Sequence, residues 1–227
     1  MRRHQTTRLA IVAATLGSTL AGCTTLEEKM AAQVAAIPDA QRAYIVGSYR
    51  IECLPRKEKC HSAFNSISAY YSNIATPPIG GTWNVSEGGF GGNTVYDFVD
   101  PAAKEKGIYF CQSLPAGDYA LRSYSYWNYD GGGNGYRLRE EDRFDVRFQA
   151  IAGEVVYLGD IKLTYGEGKN LLGMKLIVPG VVALSPGTPA DAQRALAKCA
   201  EAVRALPMRS VPLQPPAGGH PLVVANP

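Results

Sequence analysis

Few residues of this chain have the types and spacing that catalysis requires. A hydrolytic triad needs a nucleophile, a base and an orienting acid, but the chain has no G-x-S-x-G motif and, after residue 22, only two histidines, His61 and His220. His61 follows Cys60 directly, and neighbouring residues on a strand point to opposite faces, which disfavours a thiolate–imidazole couple. The carboxylates at 140–142 are flanked by arginines, which is more typical of a solvated turn than of a glycosidase pair. We expect a non-catalytic protein without a metal or another cofactor.

The five cysteines are better suited to cross-linking than to catalysis. Cys23 ends the apolar N-terminal segment, which leaves Cys53, Cys60, Cys111 and Cys199. An even number of cysteines in an exported chain indicates two disulfides, and four cysteines allow three pairings. We favour Cys53–Cys60 as a local loop and Cys111–Cys199 as a link between a strand and a C-terminal helix. Four buried thiols are the alternative, and a zinc site is disfavoured because the chain has no C-x-x-C.

The N-terminal segment indicates where the chain works. Arg2, Arg3 and Arg8 precede an apolar run from Leu9 to about Leu20, which is the arrangement of a secretory signal peptide. The run is shorter than the about 20 apolar residues that a membrane-spanning helix needs.

The end of this segment carries a more specific signal. Leu20-Ala21-Gly22-Cys23 resembles the lipobox of bacterial lipoproteins. The resemblance implies cleavage before Cys23 and a lipid on Cys23 that anchors the chain to a membrane. Thr24 stands where a signal for retention in the inner membrane often has aspartate, which implies the outer membrane and a domain facing the periplasm.

Removal of the signal peptide changes the charge of the chain. Residues 1–22 contain three arginines and no acid, so the number of Lys and Arg residues falls from 23 to 20 and equals that of Asp and Glu. A nearly neutral chain lacks the basic surface that attracts phosphate backbones, so we do not expect nucleic acid as a partner.

The rest of the sequence divides into three parts. Residues 23–42 are polar and rich in alanine, and we interpret them as a tether. Residues 43–206 are predicted to be one folded domain. Residues 207–227 contain six prolines and little apolar periodicity, so we predict a disordered tail.

The residue pattern of the folded domain is typical of an all-β protein. Phe144, Val146, Phe148 and Ala150 alternate with polar residues, which marks a strand with one buried face. Residues 77–92, rich in glycine and centred on Trp83, are predicted to be a long loop. Seven to eight short strands separated by Gly/Pro turns predict a β-sandwich. The predicted strands fall at 43–51, 64–72, 94–99, 107–114, 118–129, 144–150, 154–165 and 174–184.

One C-terminal helix is predicted to pack on this sandwich. Thr188 is a suitable N-cap, Pro189 suits the first helical position, and Asp191 favours the N-terminal end of the helix dipole. The helix is expected to end before Pro207. An apolar stripe with helical spacing faces the sheet and comprises Ala192, Leu196, Cys199, Val203 and Leu206.

Two segments of the domain resemble a known group. LPAGDYAL at 114–121 and FDVRFQAIAGEVVYLGDIKL at 144–163 resemble the transthyretin-like or carboxypeptidase-regulatory-like sandwiches of small bacterial lipoproteins. The resemblance spans roughly residues 107–165. It implies a fold and a cellular location but no reaction.

Aromatic residues around a glycine-rich turn at 130–135 form a candidate contact patch: Tyr124, Tyr126, Trp127, Tyr129 and Tyr136. Tyr124 and Tyr126 share one strand face, whereas Trp127 and Tyr129 share the other. We expect one set to lie in the core and the other to be available for contacts with protein or sugar.

These observations predict a lipid-anchored envelope protein that acts as a binding or scaffolding module. Its expected partners are the membrane, through the lipid on Cys23, and another envelope protein. Two alternatives stay open: a lipoprotein subunit of a secretion or envelope complex, and an enzyme acting on envelope glycan or peptidoglycan. The missing catalytic motifs disfavour the enzyme.

Overall fold

The computed structural model describes residues 32, 35–54, 60–76, 79–88, 92–128 and 135–226. The signal peptide, Cys23 and Tyr129 lie outside the described residues. Within the residues described, 3-10 turns occur at Asp39–Gln41 and Glu140–Asp142, and α1 (Pro189–Leu196) and α2 (Glu201–Arg204) are α-helical, as are the described residues 32 and 35. The strands are β1 (Arg42–Glu52), β2 (Ser66–Asn73), β3 (Gly80–Ser86), β4 (Phe98–Asp100), β5 (Glu105–Pro115), β6 (Gly117–Trp127), β7 (Gly135–Arg137), β8 (Val146–Ala150), β9 (Val155–Lys169), β10 (Lys175–Ser185), β11 (Met208–Ser210) and β12 (Val223–Ala225).

Within the described residues, the strands form a seven-stranded and a five-stranded sheet. The large sheet has the order β12-β10-β9-β1-β5-β4, with β11 also on β9, and the small sheet has the order β3-β2-β6-β7, with β8 also on β6. The first strand, β1, lies inside the large sheet, antiparallel to β5 and parallel to β9. The predicted all-β sandwich with C-terminal helical structure is confirmed.

The main core lies between the two sheets. Alternate residues of each strand point inward, so β8 buries Val146, Phe148 and Ala150 as predicted and exposes Arg147 and Gln149 between them. The main cluster joins apolar side chains from both sheets. Period-two alternation therefore identified the buried face correctly.

A second, smaller core lies on the other side of the large sheet, under the helices. Thr188 and Asp191 form a reciprocal capping box, and Pro189 occupies the first turn of α1. Ala192, Cys199 and Val203 are buried against the sheet, and Leu196 and Leu206 are partly buried in the same cluster, which confirms the apolar stripe. Ala195, which the prediction did not include, is buried with them.

The single helix predicted to continue to residue 206 is wrong in its length. α1 ends at Leu196, and hydrogen bonds to the third preceding residue at Lys198 and Cys199 tighten the chain. Ala200 is extended, with ψ of 153°, and α2 then begins at Glu201. Two short helices keep both halves of the stripe on the sheet.

The predicted long loop around Trp83 is also wrong, because strand β3 runs through its centre. Trp83 is only 2% exposed and lies in the main core. Gly80 and Gly81 pair with β2, and a Cβ on Gly81 would overlap the ring of Tyr71. Gly81 thus makes room for the ring of Tyr71, and Gly80 for the backbone of β2, so neither glycine marks a turn.

The strand predicted at 94–99 is shorter and displaced, since β4 comprises only Phe98–Asp100. Before it, the Asp97 carboxylate accepts a hydrogen bond from the backbone N–H of Tyr109 at 2.7 Å. Next to the short pairing of β4 with β5, the Asp97 side chain therefore accepts a hydrogen bond that a backbone carbonyl would accept in a longer strand.

The predicted disordered tail is ordered in the structure. β11 pairs with β9 and β12 pairs with β10, both in parallel. β10 accompanies β9 only from Asp160 onward, so the start of β9 would be an open edge without the tail. The prolines do not prevent pairing, because residues between them donate: Val211 to Tyr157 O and Leu213 to Leu158 O, each at 2.9 Å.

Candidate functional site

The sandwich has two ends that are built differently. At the tether end, the chain enters β1 at Arg42, beside Pro115. At the opposite, distal end lie the described connecting residues 53–54, 60–65, 87–88, 92–97 and 128 and the tip of the β9–β10 hairpin. Short hydrogen bonds join the two sheets there, from the Tyr126 hydroxyl to Thr164 O at 2.7 Å.

Both favoured disulfides are present. Cys53–Cys60 closes a loop at the distal end with a Cα–Cα distance of 4.9 Å, and Cys111–Cys199 ties β5 to the chain after α1 with a Cα–Cα distance of 5.3 Å. Neither pair therefore offers a free thiol for nucleophilic or metal chemistry.

The aromatic residues separate into a core set and an exposed set. Tyr124 and Tyr126 are each 1% exposed, and their hydroxyls donate to backbone carbonyls of the large sheet. Trp127 is 38% exposed and Tyr136 is 40% exposed. Trp127 lies over Gly135 on the outer face of the small sheet, whereas Tyr136 stacks toward Tyr124 on the other face. The predicted patch is therefore reduced to two residues on different faces.

A cavity of about 610 Å³ at the distal end contains a buried ion pair that sequence reasoning missed. Lys106 is only 4% exposed and pairs with Glu87. Its ammonium also donates to the carbonyl of Cys60 at 2.6 Å and lies 4.6 Å from the centre of the Tyr96 ring. His61 lines this cavity and a neighbouring one of about 370 Å³.

The surroundings of Glu87 hold its carboxylate in the ionised form. Burial alone would raise the pKa of Glu87, but the hydrogen bond from Lys106 and the backbone N–H of Ser62 outweigh burial and lower it. The Tyr96 hydroxyl donates to the same carboxylate at 3.0 Å. A carboxylate with these donors is a poor general base, so the cavity is better suited to recognition than to proton transfer.

A larger ionic cluster lies on the outer face of the large sheet, beside the N-terminus of α1. The Arg50 guanidinium lies 2.6 Å from Glu105, 2.9 Å from Asp160 and 3.5 Å from Asp191. Lys162 pairs with Glu105 at 3.0 Å. The two cations and three carboxylates of this partly buried cluster therefore largely neutralise one another.

A β-bulge positions one of these carboxylates. Gly159 has a φ of +81°, and the pairing of β1 with β9 shifts at this point, so Asp160 points to the same face as Tyr157. Burial raises the pKa of Asp160, although the Ser48 hydroxyl donates to it at 2.7 Å. Burial would also raise the pKa of Asp191, but hydrogen bonds from Thr188 and Tyr109 outweigh it and lower that pKa.

The ionic cluster has the properties of a structural network. Every carboxylate in it accepts from a cation or a hydroxyl, which leaves none free as a nucleophile. Residues 140–142 form an exposed turn whose acids pair with Arg139 and Arg143. Within the described ranges, no three His, Cys, Asp or Glu residues are grouped to hold a metal. None of the described helices is long and apolar enough to cross a membrane.

Comparisons with known proteins give no family. No family model matches the chain, and no curated protein matches it. A structural similarity exists to a leucine-rich repeat protein from Bacteroides thetaiotaomicron, with 11% identity and a TM-score of 0.31 over 56% of this chain and 14% of that one. A similarity this low carries no argument about fold or function.

The missed residues had no local signal. The members of the ionic cluster are up to about 140 positions apart, between Arg50 and Asp191, so their proximity in space cannot be read from their spacing in the sequence. Lys106 offered one clue, because it directly precedes the strand core GIYFC. A lysine at the start of an apolar strand is a candidate for a buried ion pair.

Proposed function

We propose that this chain is a lipid-anchored cell-envelope protein and that its sandwich is a non-catalytic binding or scaffolding module facing the periplasm. Leu20-Ala21-Gly22-Cys23 after a basic, apolar segment is the observation that carries the proposal. Lipid on Cys23 would hold the chain at a membrane, in this proposal the outer membrane.

Two features support this location. Both disulfides join cysteines of the domain, and disulfides persist in oxidising compartments such as the periplasm. The chain also enters the sandwich at one end, at Arg42, so the residues that follow Cys23 can link the domain to the point of attachment.

The anchor is tested by labelling the full chain in a bacterial host with an alkyne analogue of palmitate. We expect labelled protein in the membrane fraction, and we expect Cys23→Ala to lose the label and the membrane association. Cys53→Ala serves as the matched control and should keep the label. A label that persists in the Cys23→Ala variant would contradict the proposal.

The binding role is tested by crosslinking the native protein in cells and capturing its partners. Trp127→Ala/Tyr136→Ala removes the two exposed aromatic side chains and leaves Tyr126, which belongs to the core. We expect the variant to lose a partner that the control Val211→Ala, also on the surface, retains. An unchanged set of partners would exclude these aromatic residues from binding, and capture of secretion components would favour the complex-subunit alternative.

A further inference from the structure

The β9–β10 hairpin extends beyond the large sheet at the distal end. β1 accompanies β9 only to Leu163, and β12 accompanies β10 only over 182–184. Among the described residues, the ribbon at 165–179 therefore pairs only with itself. A two-stranded ribbon of this kind is marginal in water unless something covers it.

The hairpin tip, residues 170–174, is the most exposed apolar part of the described chain. Leu171 is 106% exposed, Leu172 is 82% exposed and Met174 is 56% exposed. Leu176 and Ile177, on the strand that follows, are 46% and 45% exposed. Single exposed apolar residues are ordinary, but five within seven positions mark an interaction surface.

The backbone of the hairpin tip satisfies its own hydrogen bonds. Asn170 and Met174 pair by their backbones at 3.0 Å, and the N–H of Gly173 donates to Asn170 O at 2.9 Å. The Asn170 side-chain oxygen accepts from the N–H groups of Leu172 and Met174 at 3.0 and 2.9 Å. Four of the five N–H groups of the tip are thus satisfied internally, which lowers the cost of moving this turn out of water.

Two lysines stand directly below the hairpin tip. Lys169 and Lys175 are opposite each other in the ribbon. Lys175 forms an exposed ion pair with Glu167 at 3.3 Å, while Lys169 has no ion pair within the described part of the chain. Lys169 and Lys175, here called the lysine collar, give this part of the ribbon a net positive charge. Lysine side chains can keep their ammonium groups in water while their apolar stems enter an apolar phase.

We propose that the hairpin tip inserts into the interface of a lipid bilayer, with Leu171, Leu172 and Met174 at the level of the acyl chains and the lysine collar on anionic headgroups. An apolar end with a cationic collar has the charge complementarity of such a surface. The tip is narrow and convex, whereas a stable protein interface needs about 800 Å² on each partner. Lipid requires no matching shape.

The hairpin tip can reach the membrane that holds the chain. From Val155 to Lys169, β9 advances about 46 Å at about 3.3 Å per residue. Residues 23–38, before the 3-10 turn at Asp39–Gln41, span at most about 53 Å when extended. Insertion does not depend on the lipid at Cys23, so the two proposals can fail separately.

The test uses residues 23–227 with Cys23→Ser, a chain that contains every described residue and no lipid. Its partition onto vesicles of phosphatidylethanolamine and anionic phosphatidylglycerol is measured by cosedimentation. Leu171→Ser/Leu172→Ser should weaken partition about 30- to 100-fold, because the variant lacks the favourable free energy of transferring two leucine side chains from water into the bilayer. Lys169→Gln/Lys175→Gln should weaken it about tenfold on these vesicles and leave partition onto phosphatidylcholine unchanged.

Val95→Ser is the matched control, because Val95 is 88% exposed and lies outside the ribbon. It should bind as the parent chain does, and all variants should melt within a few degrees of one another. Equal partition of the parent and the leucine variant, or no binding by the parent, would overturn the proposal. So would a dimer that the leucine variant alone disrupts while vesicle binding is unchanged, which would assign the tip to a protein contact.

Discussion

The helix-covered flank of the large sheet and the distal end each contain one disulfide and one group of buried charges, but they are built on different scales. The flank disulfide joins residues 88 positions apart, whereas the distal one joins residues 7 positions apart. The ionic cluster draws on β1, β5, β9 and α1, while the Lys106–Glu87 pair joins the start of β5 to the connection after β3.

This difference separates two tasks. The flank fixes distant parts of the chain relative to one another, so changes there should affect the whole fold. The distal end contains local closures that shape a surface, so changes there should cost less stability. Binding surfaces commonly lie where local changes leave the scaffold intact.

The largest effect is expected at the flank disulfide. Cys111→Ala/Cys199→Ala should lower the free energy of unfolding by about 4 to 5 kcal/mol. Without this cross-link the unfolded chain regains the conformational entropy that closure of a long loop removes. Urea denaturation followed by circular dichroism measures the loss. A loss no larger than that from removing the distal disulfide would show that the flank disulfide does not stabilise the fold more than the distal one does.

Removal of the central guanidinium of the ionic cluster comes next. Arg50→Met should cost about 3 kcal/mol, because Asp160 and Glu105 lose their shared cation in a partly buried place. Arg194→Met is the matched control, since the Arg194 side chain is 64% exposed, and it should cost well under 1 kcal/mol. Similar costs for the two variants would show that the cluster contributes little to the fold.

A smaller effect is expected from the distal disulfide. Cys53→Ala/Cys60→Ala should lower the free energy of unfolding by about 2 kcal/mol, as closure of a short loop predicts. The same urea experiment measures it, and limited proteolysis should show new cleavage between residues 53 and 60 with the rest of the domain intact. Cleavage throughout the domain would mean that this loop also holds the fold.

The smallest effect is expected at Glu87 and depends on pH. Because the folded pKa of Glu87 is lowered, its contribution is complete above the unfolded value near about 4.3 and disappears as pH falls through the folded value. Glu87→Gln should therefore lose about 1 kcal/mol at pH 7, and its melting temperature should converge with that of the parent chain only when the pH falls below the lowered folded pKa of Glu87. Glu141→Gln, on the exposed turn, should follow the parent at every pH. A Glu87→Gln difference that stays constant from pH 7 to pH 3 would show that ionisation is not its cause.

Much of the fold was predictable because its signals are local. Alternation along β8, the capping box at Thr188 and the stripe through Cys199 depend on residues within a few positions of one another. The two disulfides followed from the cysteine count together with those local elements. The prediction failed where the deciding neighbour is distant in the chain: Gly80 and Gly81 resemble a turn until Tyr71 is placed beside them.

The candidate sites were less predictable for the same reason. The aromatic residues were found by composition, but only the pairing of β6 with β7 separates Trp127 from Tyr136. The prolines of residues 207–227 predicted disorder, but the sequence of this tail does not show that β9 has an open edge with which it pairs. The hairpin tip falls between the predicted strands at 154–165 and 174–184, but its exposure was not predicted, because exposure depends on where the neighbouring strands end.

The position of β1 has a consequence for how the molecule is made. The first strand to be synthesised takes its parallel partner from β9, so Tyr44 pairs with Val155. The large sheet therefore cannot close until most of the chain is present, and contacts so distant in sequence make folding slow. A chain that must cross a membrane before folding, as the proposed location requires, gains from this delay because it stays extended while it is threaded. Cys53 and Cys60 can meet early in such a chain, whereas Cys111 and Cys199 meet only when the sheet and helix have been assembled.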